Sequence, residues 1–186
     1  MKKVALTATV LAIAAFVAAA PANAQMEMEP YKGSPEFEQL KSLIGLWEGQ
    51  MPMKEDGAGA EHEEMPPMPK MTVEYRLTAG GSAIQETMMA GTPMEMITMY
   101  HDRSGSLSLT HYCAAGNQPR LDLTESSPGQ MSFDFAEEND LDPAKGMHMH
   151  SLVLSFVDET NITQRWTMFQ GGEEQPTHDM HLTRIQ

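Results

Sequence analysis

The feature that most limits the fold of this 186-residue chain is a series of short segments whose polarity alternates from one residue to the next. Each segment is followed by a turn signal such as Gly80-Gly81 or Gly171-Gly172. A period of two is typical of a strand with one buried face. The alternation therefore predicts an all-β protein, with strands at Trp47 and at Met71–Thr78, Ser82–Ala90, Met94–His101, Ser106–Ala115, Arg120–Glu125, Met131–Glu137, Met147–Asp158, Ile162–Gln170 and Thr177–Ile185.

About ten antiparallel strands must hide two sheet edges, and closing the sheet on itself removes both. We therefore expect an up-and-down barrel, with an open sandwich as the alternative. A barrel of this size has room for one small ligand. Before it, Ser34 and Pro35 carry the N-cap and first-turn signals of a short helix that ends at Gly45.

The first 24 residues read as a secretory signal peptide. Met1-Lys2-Lys3 is positively charged, an alanine-rich apolar stretch follows, and Ala22-Asn23-Ala24 is an A-x-A cleavage site. The chain has a single cysteine, Cys113, so no lipid-anchor cysteine follows the signal. This predicts a bacterial product that is periplasmic or secreted.

The mature chain then divides into a polar leader at 25–33 and one barrel domain at 34–186. An acidic loop rich in methionine and proline is expected at 54–69, because Pro66, Pro67 and Pro69 remove backbone donors. No stretch after the signal approaches the length of a membrane-spanning helix.

The charge of the chain limits its partners. Twelve basic residues stand against 26 acidic ones, for a formal net charge of −14. So acidic a chain repels phosphate backbones, which excludes nucleic acid as a partner. Metal ions and small-molecule ligands remain.

The start Gly45-Leu46-Trp47 resembles the Gly-x-Trp signature of the calycin barrels, which include lipocalins, fatty-acid-binding proteins and nitrobindin-like haem barrels. In that group the tryptophan lies on the first strand, and an arginine on a late strand packs over it. The resemblance implies that Trp47 and Arg184 form this structural pair.

Further motifs look like those of a group of uncharacterised exported bacterial proteins with a lipocalin-like barrel. They are Met99-Tyr100-His101-Asp102, the stretch from Leu109 to Arg120, His148-Met149-His150, Phe156-Val157-Asp158 and Trp166. The resemblance spans residues 37–185 and implies a fold without an established activity. That group has a histidine near position 94, where this chain has Met94.

Strand parity gives the candidate ligand-binding residues. Tyr75, His111 and Trp166 are expected to face the interior, with Asn117 and Arg120 at the rim. Two hairpin registers are open there: a two-residue turn pairs His111 with Asp122, and a three-residue loop with a bulge pairs His111 with Leu123. The second keeps apolar residues on one face, sends Arg120 to the opposite face and is the one we favour.

Candidate metal ligands are His148 and His150, which lie two residues apart on one strand and share its parity with Leu152 and Leu154. His111 is a third candidate. Frequent methionines, several in M-x-M pairs, suggest copper, and the calycin resemblance suggests haem. The alternatives are polar side chains at the barrel mouth and methionines that replace leucine in the core.

No nucleophile motif, zinc-protease motif or phosphate-binding loop occurs in the sequence. The sequence therefore favours an exported, non-enzymatic protein that holds a small, largely apolar ligand inside the barrel. The alternatives are a periplasmic copper or haem protein and, third, a metal-dependent hydrolase built on the same histidines.

Overall fold

A computed structural model describes residues 29–49, 70–176 and 179–186. The chain forms one short helix, α1 (Pro35–Leu40), continued by a 3-10 turn at Lys41–Leu43. The strands are β1 (Gly45–Gly49), β2 (Met71–Thr78), β3 (Ala83–Met88), β4 (Met96–Arg103), β5 (Ser106–Tyr112), β6 (Arg120–Ser127), β7 (Gln130–Phe135), β8 (Met147–Phe156), β9 (Asn161–Gln170), β10 (Glu173–Glu174) and β11 (Asp179–Arg184). The predicted signal peptide and the predicted loop at 54–69 lie outside the described residues.

The strands form a closed antiparallel barrel. Each of β1 to β9 pairs with the next, and β11 closes the ring between β9 and β1, while β10 adds a short pairing at the end of β9. This confirms the predicted ten-stranded barrel and excludes the open sandwich. Within the described residues, no helix is long and apolar enough to cross a membrane.

The two ends of the barrel differ in their connections. At the end that α1 covers, which we call the closed end, the strands are joined by short turns at 79–82, 104–105, 128–129 and 157–160. At the opposite end, the open end, the connections at 89–95, 113–119 and 136–146 are longer. The longer loops of the described residues therefore lie at the open end, and loops are where binding residues are most often found.

Helix α1 is fixed to the closed end by its cap and its apolar face. The Ser34 hydroxyl accepts from the Phe37 amide and donates to Asp102 at 2.7 Å. Phe37, Leu40 and Leu43 are buried in the barrel core. The sequence prediction of this helix is confirmed at its start, but the helix ends before Gly45, which already belongs to β1.

Gly45 shows why a glycine precedes the first-strand tryptophan. Its φ of +139° is a conformation that side chains avoid. A Cβ there would also lie 2.3 Å from the Gln186 carbonyl oxygen. Glycine lets the start of β1 and the end of the chain pack together.

Trp47 and Arg184 meet at this closed end, as the calycin resemblance implies. The two residues are cross-strand partners, and the guanidinium carbon lies 4.3 Å from the centroid of the Trp47 ring. The guanidinium also donates to the carbonyls of Ile44 at 2.8 Å and of Ser42. Arg184 thereby joins the last strand to the turn that follows α1.

The methionines of the barrel divide between core and surface. Met71, Met88, Met131 and Met180 are buried in the core, where an unbranched thioether fills space as leucine does. Met94 and Met147 are exposed. The core methionines therefore support the packing alternative.

Candidate functional site

Strand register places four side chains in one row across the inner face of the barrel. Tyr75 on β2 pairs with Glu86 on β3, Glu86 with Thr98 on β4, and Thr98 with His111 on β5. All four are buried. From β9, Gln164 and Trp166 reach the same row. We call these six residues the polar belt.

His111 is the residue of the belt with unmet hydrogen-bonding capacity. Its Nδ1 lies 3.0 Å from the Thr98 hydroxyl, and its ring centroid lies 4.7 Å from that of Trp166. Its Nε2 is buried and has no partner among the described residues. Burial lowers the pKa of His111 from 6.5 to about 4, so the imidazole is neutral at pH 7.

Because the imidazole is neutral, its two nitrogens have opposite roles. If the Thr98 hydroxyl donates to Nδ1, Nε2 carries the proton and donates; if Nδ1 donates to Thr98, Nε2 accepts. The rotating hydroxyl allows either arrangement. A buried polar atom without a partner costs about 1–3 kcal/mol, which a bound hydroxyl or carbonyl would recover.

The rest of the belt is satisfied internally. Tyr100, one step toward the closed end on β4, donates to Glu86 at 2.6 Å. The Gln164 amide donates to the other Glu86 oxygen at 3.1 Å and to the Tyr75 hydroxyl. The Trp166 indole N–H donates to the Gln164 carbonyl oxygen at 3.0 Å. These bonds hold the Trp166 ring against His111.

Burial dominates the titration of this network. It raises the pKa of Glu86, while the hydrogen bonds that the carboxylate accepts from Tyr100 and Gln164 oppose the rise. It also raises the pKa of Tyr75 and Tyr100 well above the usual value, and the nearby Glu86 adds to this effect.

Sequence reasoning missed Glu86 and Gln164. Each has the parity of the inward-facing residues on its strand. Glu86 lies between Ile84 and Met88 on β3. Gln164 lies between Ile162 and Trp166 on β9. A carboxylate and an amide on inner faces are a detectable signal. Their contact with each other arises from closure of the barrel.

Tyr75, expected to contact a ligand, lies instead in the packed part of the interior. It is 1% exposed and its hydroxyl is engaged by Gln164. Val73, Leu109, Phe133 and Leu154, which belong to the same core, are 0% exposed. Around Tyr75 the interior is therefore filled by packed side chains.

The pair His148 and His150 comes together at the open end. His148 Nε2 lies 3.0 Å from His150 Nδ1. The His150 ring is stacked between Phe135 and Phe169, at centroid distances of 5.0 and 3.9 Å. Burial lowers the pKa of both histidines, and the neighbouring His150 lowers that of His148 further.

A β-bulge interrupts the strand that carries these two histidines. The register of β8 against β9 shifts between Met149 and Ser151, so His150 is the extra residue of a β-bulge. His148 consequently pairs with Phe169, whereas Leu152 pairs with Trp166. The bulge thus offsets His148 from Leu152 along β9, yet the two imidazoles still contact each other, and their assignment to the lumen face stays a prediction.

His111 does not join them in one ligand set. Across residues 29–49, 70–176 and 179–186, no three His, Cys, Asp or Glu side chains are close enough to hold a metal ion. His111 packs on Trp166, and the other two histidines pack on Phe135 and Phe169. The described residues thus offer a two-histidine pair and no three-ligand site.

Both predicted registers for the hairpin after β5 were wrong. Leu109 pairs with Leu121 and Thr110 with Arg120, so the loop is longer than either prediction. The His111 amide donates to the Pro119 carbonyl, but Pro119 has no N–H with which to return the bond, and β6 begins only at Arg120. Apolar residues still share one face, as the favoured register required.

Asn117 and Arg120 consequently have different surroundings. The Asn117 amide donates to the Met147 carbonyl at 2.5 Å, which ties the hairpin loop to β8. Arg120 lies on the face opposite Leu121, with its Nε 3.5 Å from an Asp122 oxygen. Nothing in the described residues joins either side chain to His111. Cys113 is half-buried, with its sulfur 3.5 Å from the Ala115 amide.

Comparison with known proteins adds no assignment to this geometry. No family model matches the chain, and no curated protein matches it. The fold is a closed β-barrel, which is consistent with ligand binding, and the polar belt is the part of it that bears most on function.

Proposed function

We propose that the barrel binds a small, largely apolar molecule with one hydroxyl or carbonyl group, in its open half against His111 and Trp166. The observation that carries this proposal is the buried His111 Nε2, which has no partner among the described residues. Burying an imidazole with one nitrogen hydrogen-bonded and the other unpaired costs free energy, unless a ligand or a water molecule supplies the missing partner.

The surroundings of His111 favour a neutral ligand. Burial lowers the pKa of the His111 imidazole, so its surroundings disfavour a positive charge. A charged ligand would also lose its hydration there without gaining a group of opposite charge. The side chains that pack around this half of the core are apolar, among them Met88, Met96 and Trp166. One polar contact in an apolar setting is the usual composition of a small-molecule site.

The belt below the site supplies rigidity. Glu86 holds Gln164, and Gln164 holds the Trp166 indole. A ring fixed in this way presents a flat contact surface at little entropic cost on binding. The predicted signal peptide would deliver this binding protein to the periplasm or the exterior, and export remains part of the proposal.

Two tryptophans make the proposal testable by fluorescence, because one lies at each end of the barrel. Cyclohexanol, which carries a hydroxyl, and methylcyclohexane, which has a similar shape without one, serve as matched probes. We expect cyclohexanol to change the emission of Trp166 and to bind about tenfold more tightly, the value of one buried hydrogen bond.

The variants Trp47→Phe and Trp166→Phe assign the signal. The Trp47→Phe protein should keep the cyclohexanol response and the Trp166→Phe protein should lose it. Equal affinity for the two probes would contradict the role of His111, and a response that survives in Trp166→Phe would place binding elsewhere.

Copper binding at His148 and His150 is the second candidate. The two imidazole nitrogens lie 3.0 Å apart in a hydrogen bond, so an ion that bound both would replace the shared proton and separate the rings slightly. We expect Cu(I) binding to fall in His150→Phe, which retains the stacking on Phe135 and Phe169. The same copper content in wild type and variant would contradict this second function.

A further inference from the structure

A cavity lies at the open end, between the 113–119 and 136–146 connections and the start of β8. Its volume is about 420 Å³. The polar and charged side chains that line it are Asn117, Asp140, Asp142, Lys145 and His148. None of them belongs to the polar belt, although His148 is also one of the two candidate copper ligands.

Two buried polar atoms of the lining residues lack partners among the described residues: Asn117 Oδ1 and His148 Nδ1. The Asn117 side chain is oriented by its own N–H group, which donates to the Met147 carbonyl. The other nitrogen of His148 is engaged by His150, and the His148 side chain is 2% exposed. The side chains of Asn117 and His148 therefore border the same cavity. Each is held in place by one hydrogen bond and has one further polar atom without a hydrogen-bond partner among the described residues.

The unused atoms are both able to accept hydrogen bonds. Asn117 Oδ1 is a carbonyl oxygen and accepts only. When His148 Nε2–H donates to His150 Nδ1, His148 Nδ1 carries a lone pair and accepts as well.

The charge of the lining is negative. Lys145 is paired with Asp142 at 2.8 Å, which leaves the Asp140 carboxylate without a compensating charge among the residues that line the cavity. The chain as a whole has a formal charge of −14, which adds to the attraction for cations. Acceptors and negative charge together select a cation that carries several donors.

We propose that this cavity binds the ammonium group of a small organic amine, with N–H donation to Asn117 Oδ1 and His148 Nδ1 and with Asp140 supplying the negative potential. A primary ammonium has three donors and no acceptor, which matches a lining that offers acceptors. Two acceptors beside one cavity, without a group of three carboxylate, histidine or cysteine ligands among the described residues, suit an ammonium better than a metal ion.

The test is a titration of the ¹⁵N-labelled protein with propylammonium, followed by amide chemical shifts. Propanol and propionate are the matched probes, with the same carbon chain and a neutral or negative head group. We expect propylammonium at up to about 50 mM to shift the amides of Asn117, Met147 and His148 selectively, as a weak ligand of few atoms should. Equal shifts with propanol, or none at these amides, would overturn the proposal.

His148→Phe keeps the ring contacts and removes both nitrogens, and we expect it to weaken propylammonium binding about tenfold or more. His181→Phe is the control, because His181 is an exposed histidine on β11 outside the cavity. Asp140→Asn changes an exposed charge and leaves the fold untouched, and it should weaken binding several-fold. Unchanged affinity in Asp140→Asn, or in a folded His148→Phe protein, would overturn the proposal.

Discussion

The closed and open ends of the barrel satisfy their buried polar groups to different degrees. At the closed end, the indole of Trp47 donates to the Leu43 carbonyl and Arg184 donates to two carbonyls of the turn after α1. The four buried side-chain atoms without a partner among the described residues all lie toward the open end, on His111, Asn117, Arg120 and His148. Buried side-chain groups are thus paired at the closed end, whereas several at the open end lack a hydrogen-bond partner among the described residues.

The difference follows from the connections. Short turns at the closed end leave little backbone to satisfy, and α1 covers the core beneath them. The longer loops at the open end position polar side chains without pairing all of them. The proposed function therefore predicts that stability depends mainly on the closed end and binding on the open end, which variants can test.

The largest expected effect is at the closed end. Trp47→Ala removes a fully buried indole and should lower the free energy of unfolding by about 3–5 kcal/mol, measured by chemical denaturation. Trp166→Ala is the matched variant, and because Trp166 is only half-buried its cost should be smaller. A Trp166→Ala cost equal to that of Trp47→Ala would contradict the division.

The open end should make the protein sensitive to acid. The pKa of His111 is lowered in the folded state, so below pH 6.5 the unfolded chain takes up the proton first and stability falls until about pH 4. The loss amounts to about 3 kcal/mol. In the double variant Thr98→Val/His111→Phe that part of the acid loss should be absent. Denaturation curves at several pH values, compared between the two proteins, isolate this group from the other histidines.

Arg184→Lys tests the stack at the closed end. A lysine ammonium cannot lie flat on the Trp47 ring or donate in a fork to the carbonyls of Ser42 and Ile44, so we expect a loss of about 0.5–2 kcal/mol. Arg76→Lys, at an exposed arginine on β2, is the control and should change stability by less than about 0.5 kcal/mol. Equal effects of the two substitutions would show that the stack contributes nothing specific.

The smallest expected effect is that of Thr98→Val/His111→Phe at pH 7. Replacing both partners of a buried hydrogen bond by apolar groups of similar shape is nearly neutral, and here it also removes an unpaired nitrogen. The free energy of unfolding should stay within about 1 kcal/mol of wild type while the preference for cyclohexanol over methylcyclohexane disappears. A large loss of stability would mean that His111 is a structural residue.

The fold could be predicted because alternating polarity and glycine turns are local signals. Predicted and observed strands differ by a few residues at their ends, as at Ser82–Ala90 against Ala83–Met88. The two-residue strand β10 escaped prediction, since Glu173 and Glu174 are both exposed and carry no alternation.

The site was less predictable because it depends on which strands become neighbours. Parity places His111 and Trp166 on inner faces. Only closure of the barrel brings their rings together, with 4.7 Å between the two centroids. The bulge at His150 and the missing N–H of Pro119 each shift a register that alternation alone cannot fix. Loop geometry, which local patterns describe poorly, sets the remaining contacts.

The most direct test of ligand binding at His111 is the nitrogen NMR spectrum of its imidazole during a titration with cyclohexanol. We expect the Nε2 resonance to shift as the hydroxyl binds, while Nδ1, held by Thr98 at 3.0 Å, changes little. An Nε2 resonance that stays in place while cyclohexanol binds would contradict the claim that the open half of the barrel is completed by a ligand at His111.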